Sequence, residues 1–177
     1  MAFVCTVTQG GFRVQGFSAG TPQVVVVDVG YDDAEPLNYK AVIGLDALPG
    51  GTLELYFHLV EADGATSEEH IFWSGRDTRF IADPTDRQAI LVAILAGLRG
   101  LLLMVDPAEF VWFTYDEAPP KRALVKFTAV QRAIERCGYK VTSSRLPLGR
   151  RAWKAVRLAV DAIDSEGVDP NPIDVRR

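Results

Sequence analysis

The residues best suited to chemistry are the lysines and arginines between residues 119 and 157. This segment holds eleven basic residues and a single acid, Glu135, for a net charge of +10. Five of the cations share one side of a predicted helix, namely Lys121, Arg122, Lys126, Arg132 and Arg136. At about 100° per residue they span an arc of roughly 140°, opposite an apolar side. Such a cluster attracts carboxylates and phosphates, so it predicts a binding surface for an acidic partner.

Further basic residues follow the predicted helix and extend the same patch if the last element lies alongside. They are Arg145, Arg150, Arg151, Lys154 and Arg157. Like charges four residues apart on one helix repel each other, so something should offset the repulsion. Three explanations stay open: solubility with compensation by the acidic part of the chain, contact with a nucleic-acid backbone, or contact with an acidic protein. No helix-turn-helix, zinc finger or RNA-binding aromatic motif is recognisable, which argues against sequence-specific readout of nucleic acid.

The rest of the chain is acidic. Residues 1–118 carry six basic residues against seventeen acids, a net charge of −11, and the last twenty residues add −3. The net charge of −4 and the pI near 5.2 therefore conceal a strongly dipolar molecule. Length and 48% hydrophobic content suit one α+β domain over residues 1–166, followed by a flexible tail at 167–177.

The first 80 residues predict a mostly antiparallel sheet. Apolar and aromatic runs at 3–9, 12–18, 23–30, 39–46, 52–61 and 68–73 are separated by Gly, Pro and Asp. Gly10-Gly11 predicts a hairpin between the first two strands. A further strand is predicted over 109–115 from its aromatic content, and a short one over 140–144.

Three helices are predicted to pack on this sheet. The first runs to about Met104, with Asp83 as its N-cap and Pro84 in its first position. It is apolar on all sides, and small residues such as Ala93 and Gly97 would let another backbone approach closely. The second spans 119–138 and is the basic helix. The third is predicted over 148–163 from apolar residues at helical spacing, with a strand over 152–158 as the alternative.

The acidic residues include a set that sits near predicted strand and helix ends. Asp28 follows four valines, Asp116 follows the aromatic strand, and Asp161 and Asp164 lie in the last predicted helix. The order of elements over residues 23–164 is similar to the ribonuclease H-like fold. That resemblance implies an alternative function, a nuclease in which Asp28, Asp116 and Asp161 or Asp164 bind two Mg²⁺ ions. The opening strands and the 68–73 strand are additional to that fold, and the first helix lacks the expected inward acid.

Other site chemistry is weakly represented. His58 and His70 are the two histidines, and a hairpin centred on residues 64–65 would place them side by side on the outer surface of a sheet. No Ser/His/Asp signature, GxSxG elbow or phosphate-binding glycine loop is present, which favours a non-catalytic protein without a cofactor.

The resulting prediction is an interaction module that binds an acidic protein or a nucleic-acid backbone through the basic residues. The sequence indicates no signal peptide and no membrane partner, and two widely spaced cysteines, Cys5 and Cys137, fit a cytoplasmic location. A third possibility is a homo-oligomer joined through the small residues of the first helix, or through the basic face of one copy and the acidic part of another.

Overall fold

A computed structural model describes residues 2–7, 14–18, 23–73, 77–114, 117, 119 and 121–159, with only the backbone for 14–18 and 121–123. The strands are β1 (Phe3–Cys5), β2 (Val14–Ser18), β3 (Gln23–Asp32), β4 (Leu37–Ala47), β5 (Leu53–Asp63), β6 (Glu69–Phe72), β7 (Glu109–Phe113), β8 (Tyr139–Arg145) and β9 (Arg151–Arg157). The helices are α1 (Pro84–Val105) and α2 (Lys121–Arg136). The predicted α+β class, a mostly antiparallel sheet packed against helices, is confirmed.

The described strands form one sheet in the order β1-β3-β4-β5-β7-β9-β8, with β2 also on β3 and β6 also on β5. Every described pairing is antiparallel except that of β5 with β7. Side chains alternate between two faces of the sheet. We define the inner face as the one that carries Val25, Ile43 and Phe57, which lie in register across three strands. Both helices pack on this inner face, and the opposite side is the outer face.

Helix α1 begins as predicted. The carboxylate of Asp83 accepts a hydrogen bond from the Thr85 amide at 2.7 Å, and Pro84 fills the first turn. The helix ends at Asp106, whose amide donates the last helical hydrogen bond to the Leu102 carbonyl and whose left-handed backbone (φ 44°) turns the chain out of the helix. By length and apolar composition α1 also meets the criteria for a membrane span, with a third of its most apolar window buried. In this structure it packs on β3, β4 and α2.

The small residues of α1 allow close contact with the sheet. Ala93 and Gly97 are buried, and a Cβ at Gly97 would stand 3.0 Å from Ile43 Cδ1 and 3.4 Å from methyl groups of Val25 and Val27. Ala93 and Gly97 therefore pack inside the molecule. Ala96 is exposed and nothing lies within 4 Å of a Cβ at Gly100, so the oligomer through the small residues of this helix stays a prediction.

Helix α2 packs through rings and aliphatic side chains. Phe127 stacks on Trp153 of β9, with ring centroids 4.9 Å apart and planes 3° from parallel, and Trp153 stacks in turn on Trp112 of β7. Val130 and Ile134 are fully buried one and two turns further along. This apolar side fixes the orientation of α2, so the opposite side of the helix is exposed.

Over the described residues the third predicted helix is wrong, and the alternative, a strand over 152–158, is confirmed. Residues 151–157 form strand β9, paired with β7 on one side and β8 on the other, and a short 3-10 turn at Pro147–Gly149 connects β8 to it. Trp153 and Ala155 are buried whereas Lys154 and Val156 are exposed, an alternation with period two. The apolar residues of this segment fit both a helical spacing and the alternation of a strand. Pairing with the aromatic strand β7 favours the strand.

Two further expectations change. In their described parts, the first two strands both pair with β3: β1 with residues 30–32 and β2 with residues 24–27. The predicted turn at Gly10-Gly11 lies outside the described residues. The resemblance to the ribonuclease H-like fold is not confirmed, since that fold requires a helix where residues 151–157 form strand β9. The predicted tail at 167–177 lies outside the described residues, and the single-domain boundary at 166 stays a prediction.

Candidate anion-binding surface

The exposed side of α2 carries three of the predicted cations. Lys126, Arg132 and Arg136 are exposed, whereas only the backbone of Lys121 and Arg122 is described. Val125 lies among them with 67% of its surface exposed. The exposed side of α2 thus combines positive charge with an apolar side chain.

Helix α1 adds another cation to this side of the molecule. The pKa of Lys126 is lowered, mainly because surrounding protein atoms desolvate the amine. The positive charge of Arg87, at the start of α1, lowers this pKa further. The Arg87 guanidinium is held in place by donating from Nε to the Ile81 carbonyl. A negative group bound beside Lys126 would oppose this lowering of the pKa, because it favours the charged form of the amine.

Arg145 and Arg151 form the second part of the surface. They are directly opposite each other in the β8–β9 pairing, and the alternation of both strands places them on the inner face beside α2. Together with Pro119, Leu124 and Gly149 they line a cleft of about 260 Å³. We term this space the arginine cleft. Its location next to the first turn of α2 adds the partial positive charge of the helix dipole.

Buttressing interactions hold the β9 side of the arginine cleft. Thr114, which follows β7, is buried and exchanges hydrogen bonds with Arg151: its amide donates to the Arg151 carbonyl at 2.9 Å, and the Arg151 amide donates to Thr114 Oγ1 at 2.8 Å. Arg150 Nε donates to the Thr114 carbonyl at 3.0 Å. Arg150 therefore anchors the start of β9 to the end of β7.

Lys154 lies elsewhere. Because its neighbours Trp153 and Ala155 face inward, Lys154 is on the outer face, where its ammonium is 2.7 Å from a carboxylate oxygen of Glu109. The structure therefore separates this predicted site residue from the exposed side of α2 by the thickness of the sheet.

Few described ion pairs join the acidic part of the chain to the basic part. Besides the pair of Lys154 with Glu109, Arg157 is 3.1 Å from Asp106, stacks over the Tyr139 ring and donates to the Cys137 carbonyl. Within the described part of the chain, Lys126, Arg132, Arg136, Arg145 and Arg151 form no ion pair with a carboxylate.

Of the carboxylates of the nuclease alternative, only Asp28 lies within the described residues, so that site stays a prediction. Asp28 is on the outer face of β3, opposite Lys40, and β4 and β5 separate β3 from β7. Asp116, Asp161 and Asp164 lie outside the described residues. Across the described ranges, no group of three or more His, Cys, Asp and Glu side chains is placed to hold a metal ion.

The two histidines face opposite sides of the sheet. His70 is opposite Glu61 in the β5–β6 pairing, so it shares the inner face with Phe72, and its ring contacts that of Phe72. His58 is on the outer face, stacked on Tyr56 with centroids 5.6 Å apart and 4.5 Å from the Trp73 ring. The predicted adjacency is wrong because the observed register differs from one centred on residues 64–65, and such a shift moves a side chain to the other face.

The arginine cleft was missed by sequence reasoning because it requires a hairpin where a helix was predicted. Pro147 and Gly149 gave the available signal, since both residue types favour turns between strands. No protein-family model, curated protein or solved structure matches this chain. The function is accordingly argued from the site alone.

Proposed function

We propose that this protein is a non-catalytic interaction module that binds an acidic partner through the exposed basic side of α2 and the neighbouring arginine cleft. The observation that supports this most directly is that five cations form no ion pair with any described carboxylate: Lys126, Arg132 and Arg136 on α2, with Arg145 and Arg151 beside it. Compensation by the described acidic residues would have placed their carboxylates against these cations. An external acidic group offsets the same repulsion.

Of the two classes of partner, an acidic protein segment fits the surface better than a nucleic-acid backbone. The exposed Val125, next to Lys126 in sequence and about two turns before Arg132, offers an apolar contact, which suits a polypeptide that combines acids with apolar side chains. Proteins that bind single-stranded nucleic acid without base specificity use exposed aromatic rings as stacking platforms. The described exposed side of α2 carries aliphatic, polar and charged residues and no such ring.

The experiment compares two matched double charge reversals. Arg132→Glu with Arg136→Glu removes cations from the basic side of α2, whereas Lys140→Glu with Lys154→Glu changes the net charge equally on the outer face. The probes are a labelled acidic peptide that contains leucines, and labelled single- and double-stranded nucleic acid, followed by fluorescence anisotropy at increasing salt.

We expect the peptide to bind the wild-type protein, and the α2 reversal to weaken it at least about tenfold while the outer-face reversal changes it less than about threefold. Equal weakening by both variants would mean that net charge alone attracts the peptide, and the proposed surface would be wrong. Nucleic acid bound more tightly than the peptide, with a steep salt dependence, would assign the surface to phosphate backbone instead.

A further inference from the structure

The arginine cleft has a geometry that differs from the convex side of α2. Two guanidinium groups stand on adjacent antiparallel strands at directly opposed positions, Arg145 and Arg151. Like charges at such positions destabilise a strand pair. Within the described residues, neither guanidinium forms an ion pair with a carboxylate. An anion seated between them would convert the repulsion into two attractions.

The shape of the cleft limits what it can hold. Its volume of about 260 Å³ lies below the range of roughly 300–1,000 Å³ that is typical of pockets for drug-sized ligands. It is still several times the ~30 Å³ that one water molecule occupies in the liquid. The cleft therefore accommodates one compact charged group with a short apolar stem, and Leu124 and Pro119 provide apolar wall for the stem.

Two guanidiniums favour a phosphate over a carboxylate. Each guanidinium presents N–H donors in a planar fork that matches the oxygen atoms of a phosphate. A phosphate monoester carries a charge of about −1.5 to −2 and three acceptor oxygens, enough to engage both forks, whereas one carboxylate has a single charge and two oxygens. The partial positive charge at the first turn of α2 acts in the same direction.

We propose that the arginine cleft is a binding site for a phosphate monoester group, held between Arg145 and Arg151. The phosphate is assigned to a phosphorylated side chain of the acidic partner, and only this assignment rests on the proposed function. Free phosphate has the same chemistry and is the other source. Fixed by its hydrogen bonds to Thr114, the β9 side of the cleft is already in place before the ligand arrives.

The test uses the full chain and phosphate probes that need no macromolecular partner. Backbone amide shifts are followed by NMR while inorganic phosphate, an acidic phosphoserine peptide and its unphosphorylated form are each added at constant ionic strength. We expect saturable shifts in residues 145–151 and at the start of α2 with both phosphate probes. Phosphopeptide affinity at least about tenfold above that of inorganic phosphate assigns the site to a modified partner, and equal affinities assign it to free phosphate; either supports the cleft.

Variants separate the cleft from a basic residue outside it. Arg145→Gln and Arg151→Gln should each weaken phosphate binding about tenfold, the loss expected for one charge-assisted contact. Arg151→Lys should fall between the wild type and Arg151→Gln, because it keeps the charge and loses the fork. Lys140→Gln removes an equal charge from the outer face, away from both the cleft and α2, and should change phosphate affinity less than about twofold.

Three results would overturn the inference: no saturable shifts with either phosphate probe, shifts that persist unchanged in Arg145→Gln and Arg151→Gln, or equal weakening by Lys140→Gln. Thermal unfolding of each variant confirms that it is folded before it is titrated. Failure here would leave binding of the unphosphorylated acidic peptide to α2 intact. Loss of that peptide binding with phosphate binding retained would instead remove the proposed function and keep the cleft.

Discussion

At the scale of single residues, the connection between β8 and β9 contains a conformation that its side chain disfavours. Leu148 has φ 60° and ψ 23°, in the left-handed region, and 67% of its surface is exposed. A leucine there costs roughly 1–2 kcal/mol relative to the ordinary helical region, and exposure leaves little packing to offset that cost. We therefore expect Leu148→Gly to raise the free energy of unfolding by about 0.5–1 kcal/mol, measured by urea denaturation.

The matched control is the neighbouring residue Leu146. Its φ of −100° is accessible to every amino acid, so Leu146→Gly gains no relief of strain and adds chain entropy to the unfolded state. It should lower the free energy of unfolding. A lower value for Leu148→Gly as well would show that the turn conformation carries no strain that glycine relieves.

A second residue-scale prediction concerns His58 on the outer face. Its Nδ1 is buried and has no hydrogen-bond partner, and desolvation lowers the pKa of the imidazole below 6.5. Unfolding restores the ordinary pKa, so below about pH 6.5 the unfolded chain binds the proton first. Stability should therefore be complete above that pH and should fall as the pH drops towards the folded-state pKa.

Replacement of the ring isolates this contribution. His58→Phe keeps an aromatic ring between Tyr56 and Trp73 but cannot bind a proton. Urea denaturation between about pH 5 and pH 8 should show a smaller loss of stability on acidification for this variant than for the wild type. His70→Phe, on the inner face, controls for the loss of an imidazole. Identical pH profiles for His58→Phe and the wild type would contradict the prediction.

At the scale of elements, the packing of α1 depends on a glycine that faces the sheet. Any side chain larger than methyl at Gly97 would enter the space of Ile43, Val25 and Val27, and overpacking of this kind costs roughly 1–3 kcal/mol. Nothing lies within 4 Å of a Cβ at Gly100, three residues later. In thermal denaturation Gly97→Leu should be destabilised, whereas Gly100→Leu should gain up to ~1 kcal/mol from helix propensity. A stabilised Gly97→Leu would mean that α1 can move away from β3 and β4.

The same elements show where sequence patterns suffice. Asp83 and Pro84 predicted the start of α1 because a cap is a local interaction, and Gly138, with φ 87°, marks the end of α2 as predicted. The segment at 151–157 was mispredicted because Ala152, Val156 and Ala159 fit a helix about as well as alternating residues fit a strand. Pairing with β7, more than forty residues earlier in sequence, decides the outcome, and a local pattern does not contain that information.

One part of the candidate site could be predicted from local sequence patterns and the other could not. The basic side of α2 could be predicted because helical periodicity alone groups Lys126, Arg132 and Arg136. The arginine cleft could not, because Arg145 and Arg151 meet through strand register and Leu124 reaches them only through the packing of α2. The opposite placement of Lys154 follows from the same register.

At the scale of the whole molecule, segregation of charge makes stability depend on salt. The described contacts between the acidic and basic parts include two exposed ion pairs, Lys154 with Glu109 and Arg157 with Asp106, and exposed pairs each contribute about 1 kcal/mol or less. Repulsion within the +10 segment and within the acidic part of the chain is screened once the Debye length falls to about 10 Å, near 0.1 M salt. We therefore expect the melting temperature to rise as NaCl is increased from low concentration to about 0.15 M.

A neutralising variant assigns part of this rise to α2. In Arg132→Gln the repulsion with Arg136, four residues away on the same exposed side, is removed. Such a pair is worth about 0.2–0.5 kcal/mol, and 1 kcal/mol corresponds to about 2–4 °C in a chain of this size. The variant should melt about 1 °C above the wild type at low salt, and the difference should disappear at high salt. A melting temperature that falls with salt in the wild type would mean that attraction between the acidic and basic parts outweighs the repulsion within each, and the cations of α2 would then be offset inside the molecule without an external partner.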